Sequence, residues 1–168
     1  MLAKVDPLGL AGIEWTQDGI LFGQGLKEIV RISENGGEQK SLIKAKGSEL
    51  VGWPQMLPGG KAVLFSTTPI VQRSKPAEIV VQMLDSSERK GLMSLDVDGG
   101  ESPGARYLPT GHIVFFRSGV LFAVPFDLGR LQMGPNPVPV VQGVRNATGL
   151  DAMFSVSDTG SLVYVPGP

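Results

Sequence analysis

The chain has 168 residues and a mass of 17.8 kDa, and with 42% hydrophobic and 18% charged residues it can bury a core and fold as one domain. Its net charge of -1 argues against nucleic-acid or anionic-membrane binding, and the absence of cysteine excludes disulfides, thiolate nucleophiles and cysteine metal sites. No segment has the apolar length of a signal peptide or of a membrane span, so we expect a soluble chain without membrane insertion.

One pattern occurs four times along the chain: an apolar or aromatic segment, a turn rich in Pro, Asp and Gly, and a second apolar segment. The turns end at Gly19, Gly60, Gly111 and Gly160, which are 41, 51 and 49 residues apart. Such spacings are typical of β-propeller blades with variable loops. The many glycines and prolines, 23 and 13 in number, fit the short strands of an all-β fold.

Each full copy continues with a second pair of strands. The predicted strands are at 12–16, 20–24, 28–33, 62–67, 78–84, 113–117, 120–126 and 161–165. The second copy carries an insertion at 67–76, whose prolines predict a loop. A short helix at 82–90 is the alternative to strand, turn and strand, and the β-branched residues before it favour the strands.

The predicted fold is therefore all-β, a partial β-propeller of about three and a half four-stranded antiparallel blades in one domain, 1–168. The blades are expected at about 12–46, 52–94 and 104–143, with a half blade at 148–166.

A large apolar residue lies four positions before each turn glycine: Trp15, Met56, Tyr107 and Val156. The repetition predicts a packing position between sheets. The aromatic residues near the hairpins are therefore interpreted as core residues rather than as a ligand surface: Trp15, Trp53, Tyr107 and Phe154. We expect Trp15→Ala to cost about 3–5 kcal/mol and His112→Ala less than about 1 kcal/mol.

Segments 53–60, 105–112, 121–127 and 154–167 resemble the TolB-like, WD-repeat-like propellers at the C-terminus of many bacterial serine/threonine protein kinases. The resemblance covers nearly the whole chain and implies an extracytoplasmic location where such a propeller is fused to a kinase. Two features depart from that family. The chain has no glycine-rich nucleotide loop or catalytic His-Arg-Asp, and it has fewer blades than a full propeller. Kinase activity is therefore not implied.

Residues that might carry chemistry have simpler explanations. His112, the sole histidine, follows a turn glycine and is interpreted as a hairpin residue. The segment 96–101 opens like a calcium loop but has Gly100 and Tyr107 where later ligands belong, so we interpret it as an exposed connection. The glycines of 23–25 and 36–37 are interpreted as turns. We predict no catalytic residue, no metal site and no cofactor.

The candidate ligand surface consists of charged residues on loops, because propeller loops converge on two faces and on the channel mouth. These residues are Arg73, Lys75, Arg106, Arg145 and Asp151. The predicted function is a non-catalytic recognition module for a protein, peptide or glycan partner. The alternative is a propeller-type hydrolase or lyase with carboxylates at the channel mouth.

An incomplete array of blades also predicts self-association. Blades bury both sheet faces against neighbours, so an open array leaves an apolar face at each end. We expect a homodimer, because two chains would supply about seven blades. A closed ring and two arrays packed face to face both remain open.

Overall fold

The computed structural model describes residues 5, 9–70, 76–96, 102–147, 151–157 and 159–167. Within these residues the regular structure is β-strand, arranged in antiparallel sheets, so the predicted all-β fold is confirmed. The same residues contain no helix with the length and apolar character needed to cross a bilayer.

Blade 1 is a four-stranded antiparallel sheet whose strands follow chain order. They are β1 (Leu10–Thr16), β2 (Gly19–Gln24), β3 (Glu28–Ile32) and β4 (Lys40–Lys44). Two residues connect β1 to β2, and the Thr16 hydroxyl donates to the Gly19 carbonyl at 2.7 Å. Gly19 has a φ of +120°, and a Cβ there would lie 2.2 Å from the Ile32 carbonyl oxygen. This tight turn therefore requires glycine.

Blade 2 has the same order. Its strands are β5 (Glu49–Met56), β6 (Ala62–Pro69), β7 (Ala77–Met83) and β8 (Arg89–Leu95). The strand, turn and strand predicted across 82–90 are confirmed. The loop predicted at 67–76 begins later, because Thr67 and Thr68 still pair with β5 and Pro69 ends the ladder opposite Glu49. A proline is tolerated at the end of a strand, so part of the insertion lengthens the hairpin. Residues 71–75 lie outside the described residues.

Blade 3 is a sheet of five strands. They are β9 (Arg106–Leu108), β10 (His112–Arg117), β11 (Val120–Asp127), β12 (Gln132–Met133) and β13 (Val138–Gln142). The long strand β11 pairs with β13 near its start and with β12 at its end. A small hairpin of β14 (Asn146–Ala147) and β15 (Asp151–Ala152) precedes blade 4, for which the described residues supply one strand pair, β16 (Phe154–Val156) and β17 (Leu162–Tyr164).

Apolar layers lie between successive blades. Because strand side chains alternate between the two faces, β6 directs Val63 and Phe65 toward blade 1 and Leu64 toward blade 3. The layer between blades 1 and 2 contains Leu21, Ile29, Ile43, Val51, Val63, Phe65 and Val80. The next layer includes Leu64, Ile79, Leu95, Ala105, Ile113, Phe115 and Phe126, and the third includes Val114, Phe116, Leu121 and Val144. Blade 2 is thus packed on both faces.

In blades 2 and 3 the repeated apolar position before the turn glycine packs against the preceding blade. Met56 contacts the layer between blades 1 and 2, and Tyr107 contacts the next layer, with its ring edge-on to Phe126 at 5.8 Å between centroids. Trp15 is 67% exposed. The prediction that Trp15 is a core residue is therefore wrong, because no blade of these 168 residues precedes blade 1.

Candidate functional site

The turns between the first two strands of blades 1, 2 and 3 surround an open recess of about 620 Å³. Blade 1 contributes residues 14–18, blade 2 contributes 55–60, and blade 3 contributes Tyr107 and Pro109. The turns converge because each blade begins with the same hairpin and the blades stack in one register. The recess therefore forms between the equivalent turns of three successive blades.

Polar side chains of the first strands tie neighbouring blades together at this recess. The Glu14 carboxylate accepts the Met56 backbone N–H, with 2.6 Å between Oε2 and N. The Gln55 side chain makes two such bonds to the next blade: its Oε1 accepts the Tyr107 N–H at 2.6 Å, and its Nε2 donates to the Tyr107 carbonyl at 3.1 Å. Glu14 and Gln55 occupy the same repeat position, five residues before the turn glycine. That position is an inter-blade link.

The first strands of blades 1 and 2 also approach each other closely. A Cβ on Gly52 would lie 2.7 Å from the Cβ of Ala11, and a Cβ on Gly23 would lie 2.5 Å from the Ala11 carbonyl oxygen. Gly23 is in β2, so its interpretation as a turn residue is wrong. Its missing side chain allows close strand contact. This packing brings β5 into direct contact with β1.

The rim of the recess carries both apolar and polar side chains. Trp15 presents an exposed indole, and the prolines Pro58 and Pro109 are exposed on the facing turns. Gln17 is exposed in the blade 1 turn, and beside it the Asp18 carboxylate lies 3.6 Å from the Arg31 guanidinium. A concave surface with an aromatic ring and a few hydrogen-bonding groups is suited to ligand binding.

Of the five predicted ligand residues, the structure describes Arg106, Arg145 and the backbone of Asp151. Arg73 and Lys75 lie outside the described residues. Arg145 is exposed near the C-terminus, where its backbone N–H donates to the Val165 carbonyl at 2.9 Å. Asp151 belongs to β15. Arg145 does not line the recess.

Arg106 lies in β9, and it does not line the recess either. Its Nη1 lies 3.4 Å from the carbonyl oxygens of Trp53 and Pro54, to which it donates. These two residues form a bulge in β5, and Trp53 has a φ of +52°. Arg106 therefore satisfies carbonyls that the bulge removes from the sheet ladder. Two features of the sequence could have indicated the recess. The turns recur at the same position of each repeat, and a polar residue, Glu14 or Gln55, directly precedes the packing position in blades 1 and 2.

His112 adds no group to the recess. The Nδ1 atom of His112 lies 3.0 Å from the carbonyl oxygen of Thr110, within its own turn. Residues 97–101 lie outside the described residues, so the interpretation of 96–101 as an exposed connection stays a prediction. Among the residues that the structure describes, no three His, Asp or Glu side chains are grouped so that they could hold a metal ion.

Neither a protein-family model nor a curated protein sequence matches the chain. Solved structures do match. TolB from Acinetobacter baumannii superposes on 94% of this chain with a TM-score of 0.59 and 20% identity. A luciferin-regenerating enzyme superposes on 95% with a TM-score of 0.62 and 12% identity, and an oligogalacturonate lyase in complex with manganese on 84% with 0.55 and 12%. The chain has the TolB-like β-propeller fold.

The chain spans about half or less of those propellers, covering 55% of the luciferin-regenerating enzyme, 39% of the lyase and 38% of TolB. The predicted partial propeller is confirmed by this coverage and by the stacked sheets. The matched propellers include two enzymes as well as TolB, so the fold is compatible with catalysis and with binding.

Proposed function

We propose that this propeller is a recognition module that binds a polypeptide segment in the recess between the turns of blades 1, 2 and 3. The observation that supports the proposal is the construction of the recess, an open concave surface with exposed apolar groups on a rigid floor. Pro58 and Pro109 lie on the turns of blades 2 and 3, with Gln17 and Asp18 on the blade 1 turn. Rigid scaffolds that display turns are commonly used for binding.

The floor of the recess favours a polypeptide over a glycan. Sugars are held by many directed hydrogen bonds, for which planar amide and carboxylate side chains are well suited. The two such side chains on the floor, Glu14 and Gln55, already bond to the backbone of the next blade. The apolar surfaces of Met56 and of the prolines are better matched by aliphatic or aromatic side chains of a partner protein.

A preorganised floor also lowers the cost of binding. Side chains that are already held do not lose further conformational freedom when the partner binds. The inter-blade hydrogen bonds of Glu14 and Gln55 span 2.6 Å to 3.1 Å and join all three blades that line the recess. We therefore expect affinity to depend on exposed rim residues rather than on rearrangement of the floor.

The test is selection of peptides against the purified chain, from a displayed library of random twelve-residue sequences. We expect enriched peptides that bind with micromolar Kd in calorimetry and bind at least tenfold more weakly to Gln17→Arg, which places a bulky charge at the rim. Gln142→Arg is the matched control, because Gln142 is exposed on the outer strand of blade 3. Failure to enrich any peptide, or equal binding to both variants, would refute the proposal.

The alternative of a hydrolase or lyase is tested with the same preparation. Among the described residues, Glu14 and Asp18 are the carboxylates that line the recess, and Glu14 is engaged with the Met56 N–H. Oligogalacturonate is a suitable substrate, since one matched propeller is an oligogalacturonate lyase. We expect no turnover above a buffer blank. Turnover that is lost in Asp18→Asn would replace the binding proposal with an enzymatic one.

A further inference from the structure

We propose that Trp53 is a binding residue, which contacts an apolar side chain of the polypeptide segment that occupies the recess. Such a contact extends the binding surface from the recess along strand β5, and it presupposes the proposed function. Trp53 combines a strained backbone with a large side chain that the core does not use.

Trp53 has a backbone conformation that is unusual inside a strand. Its φ is +52°, in the left-handed region that favours glycine. Pro54 follows it, and a residue before proline is further biased toward extended conformations. Among the residues that the structure describes, the other non-glycine residues with positive φ lie in turns or loops: Leu26, Ser87, Ser118, Leu131 and Asn136. Strain of this kind persists where the surrounding structure enforces it, and it is concentrated at functional sites.

Glycine occupies the position of Trp53 in the two neighbouring blades. Trp53 lies seven residues before the turn glycine of blade 2, and Gly12 and Gly104 lie seven residues before those of blades 1 and 3. Gly12 forms a bulge in β1 with a φ of +76°, just as Trp53 forms one in β5. Glycine adopts such a conformation without strain. Blade 2 therefore carries a bulky aromatic side chain where its backbone alone would favour glycine.

The indole of Trp53 does not contribute to core packing. Val51 and Met56 of the same strand belong to the layer between blades 1 and 2. Trp53 belongs to none of the apolar layers that the described residues form, and it is partly exposed. A bulge re-aims a side chain relative to its sheet. The interpretation of Trp53 as a core residue is therefore wrong.

The bulge is fixed from both neighbouring blades. A Cβ on Gly12 would lie 2.6 Å from the Trp53 Cα, so blade 1 approaches the Trp53 backbone closely. From blade 3, Arg106 donates through Nη1 to the carbonyls of Trp53 and Pro54. A Cβ on Gly104 would lie 3.6 Å from the indole Cδ1, so glycine adds no side chain over that edge of the ring. Since blades 1 and 3 both lie within the chain, these contacts do not depend on any further blade.

Trp53 lies within reach of a peptide that occupies the recess. Gln55, on the floor of the recess, is two residues further along β5, which is about 7 Å in a strand. A twelve-residue peptide spans about 40 Å when extended, so it can fill the recess and also cover Trp53. The flat apolar indole is suited to an aliphatic, proline or aromatic side chain of that peptide.

The test compares Trp53→Gly, Trp53→Asn and Trp53→Phe, with the peptides enriched against the wild type as probes. Glycine and asparagine both tolerate a positive φ, so we expect neither variant to lower Tm by more than about 3 °C. Both should raise the peptide Kd at least about tenfold in calorimetry, because they remove the apolar contact. Trp53→Phe keeps an aromatic ring and should raise Kd less than about threefold.

Fluorescence reports the contact directly. The sequence has two tryptophans, so Trp15→Phe leaves Trp53 as the sole one. Saturating peptide should shift its emission to shorter wavelength, because the bound side chain removes the indole from water. An emission that stays unshifted at saturation would contradict a contact at Trp53.

The remaining outcomes separate this inference from the proposed function. A larger loss of Tm in both Trp53→Gly and Trp53→Asn would identify Trp53 as a packing residue and overturn the inference, whichever peptides bind. Peptides that bind more weakly to Gln17→Arg but equally to Trp53→Gly would also overturn it, and they would leave the proposed function intact. Failure to enrich any peptide would refute both.

Discussion

At the level of single residues, exposure depends on the neighbouring blade more than on the type of side chain. Trp15, the largest apolar side chain at its repeat position, is the most exposed of the four. Tyr107 has a hydroxyl group but is packed against Phe126 and the layer between blades 2 and 3. The free energy gained at such a position comes from the area removed from water, which residue type alone does not determine.

The first prediction compares two aromatic side chains at one repeat position. We expect Trp15→Ala to lower the free energy of unfolding by less than about 1 kcal/mol, because the Trp15 side chain is 67% exposed. Tyr107→Ala should lower it by about 2–4 kcal/mol, because it leaves a gap beside Phe126. Urea titrations of the three chains measure both values. A larger loss for Trp15→Ala would contradict the inter-blade interpretation.

The second prediction concerns close contact between first strands. A methyl group on Gly52 would lie 2.7 Å from the Cβ of Ala11, and neither atom can move without its backbone. We expect Gly52→Ala to destabilise the chain by about 1–3 kcal/mol, as in an overpacked core. Gly91→Ala is the control, since its nearest atom is a flexible Glu78 carboxylate oxygen at 3.6 Å. Thermal unfolding should show a clear drop in Tm for the first variant, and equal Tm values would argue against the close approach.

At the level of strands, the side chain of Arg89 bridges blade 2 and the last strand of blade 1. The Arg89 guanidinium donates to Glu49 at 2.5 Å, to Gln82 at 3.1 Å and to the Lys44 carbonyl at 3.4 Å. It also lies 5.0 Å from the ring centroid of Phe65. Its side chain is 11% exposed, so these contacts are little screened by solvent. They join the outermost strand β8 to the first strand β5 and to the end of β4.

The third prediction is that Arg89→Met destabilises the chain by about 2–4 kcal/mol, because it leaves the Glu49 carboxylate partly buried without its cation. The ion pair of Arg130 and Asp127 is the control, because these side chains are 81% and 46% exposed. We expect Arg130→Met to lower the free energy of unfolding by less than about 1 kcal/mol. Unfolding is measured in urea rather than in guanidinium chloride, because the guanidinium salt would screen the ion pair. Similar losses for both variants would show that Arg89 contributes no more than a surface pair.

At the level of the whole molecule, stability depends on the apolar layers between neighbouring blades. The described residues stack blades in sequence, and each internal layer is shared by neighbours. In such an array the stability is approximately a sum of blade terms and nearest-neighbour interfaces.

The hairpins and their order could be predicted from the sequence because they depend on local chemistry. Turn glycines such as Gly19 permit backbone angles that other residues avoid, and alternating apolar residues define the strands around them. The repeat at 41 to 51 residues then implied stacked sheets. The extension of β6 through Pro69 was not predicted, because strand ends depend on the length of the partner strands β5 and β7.

The sequence by itself determined an all-β array of about three and a half blades, with turns at regular offsets. Tertiary structure alone decided which faces are buried, because burial at Trp15 or Val163 depends on whether another blade lies beside that residue. It also decided the candidate site. The recess forms where turns that are more than forty residues apart in the sequence come together. There the side chains of Glu14 and Gln55 bond to the backbone of the next blade. Side-chain type indicates what can form a contact, but the stacking of the sheets determines which contact is made.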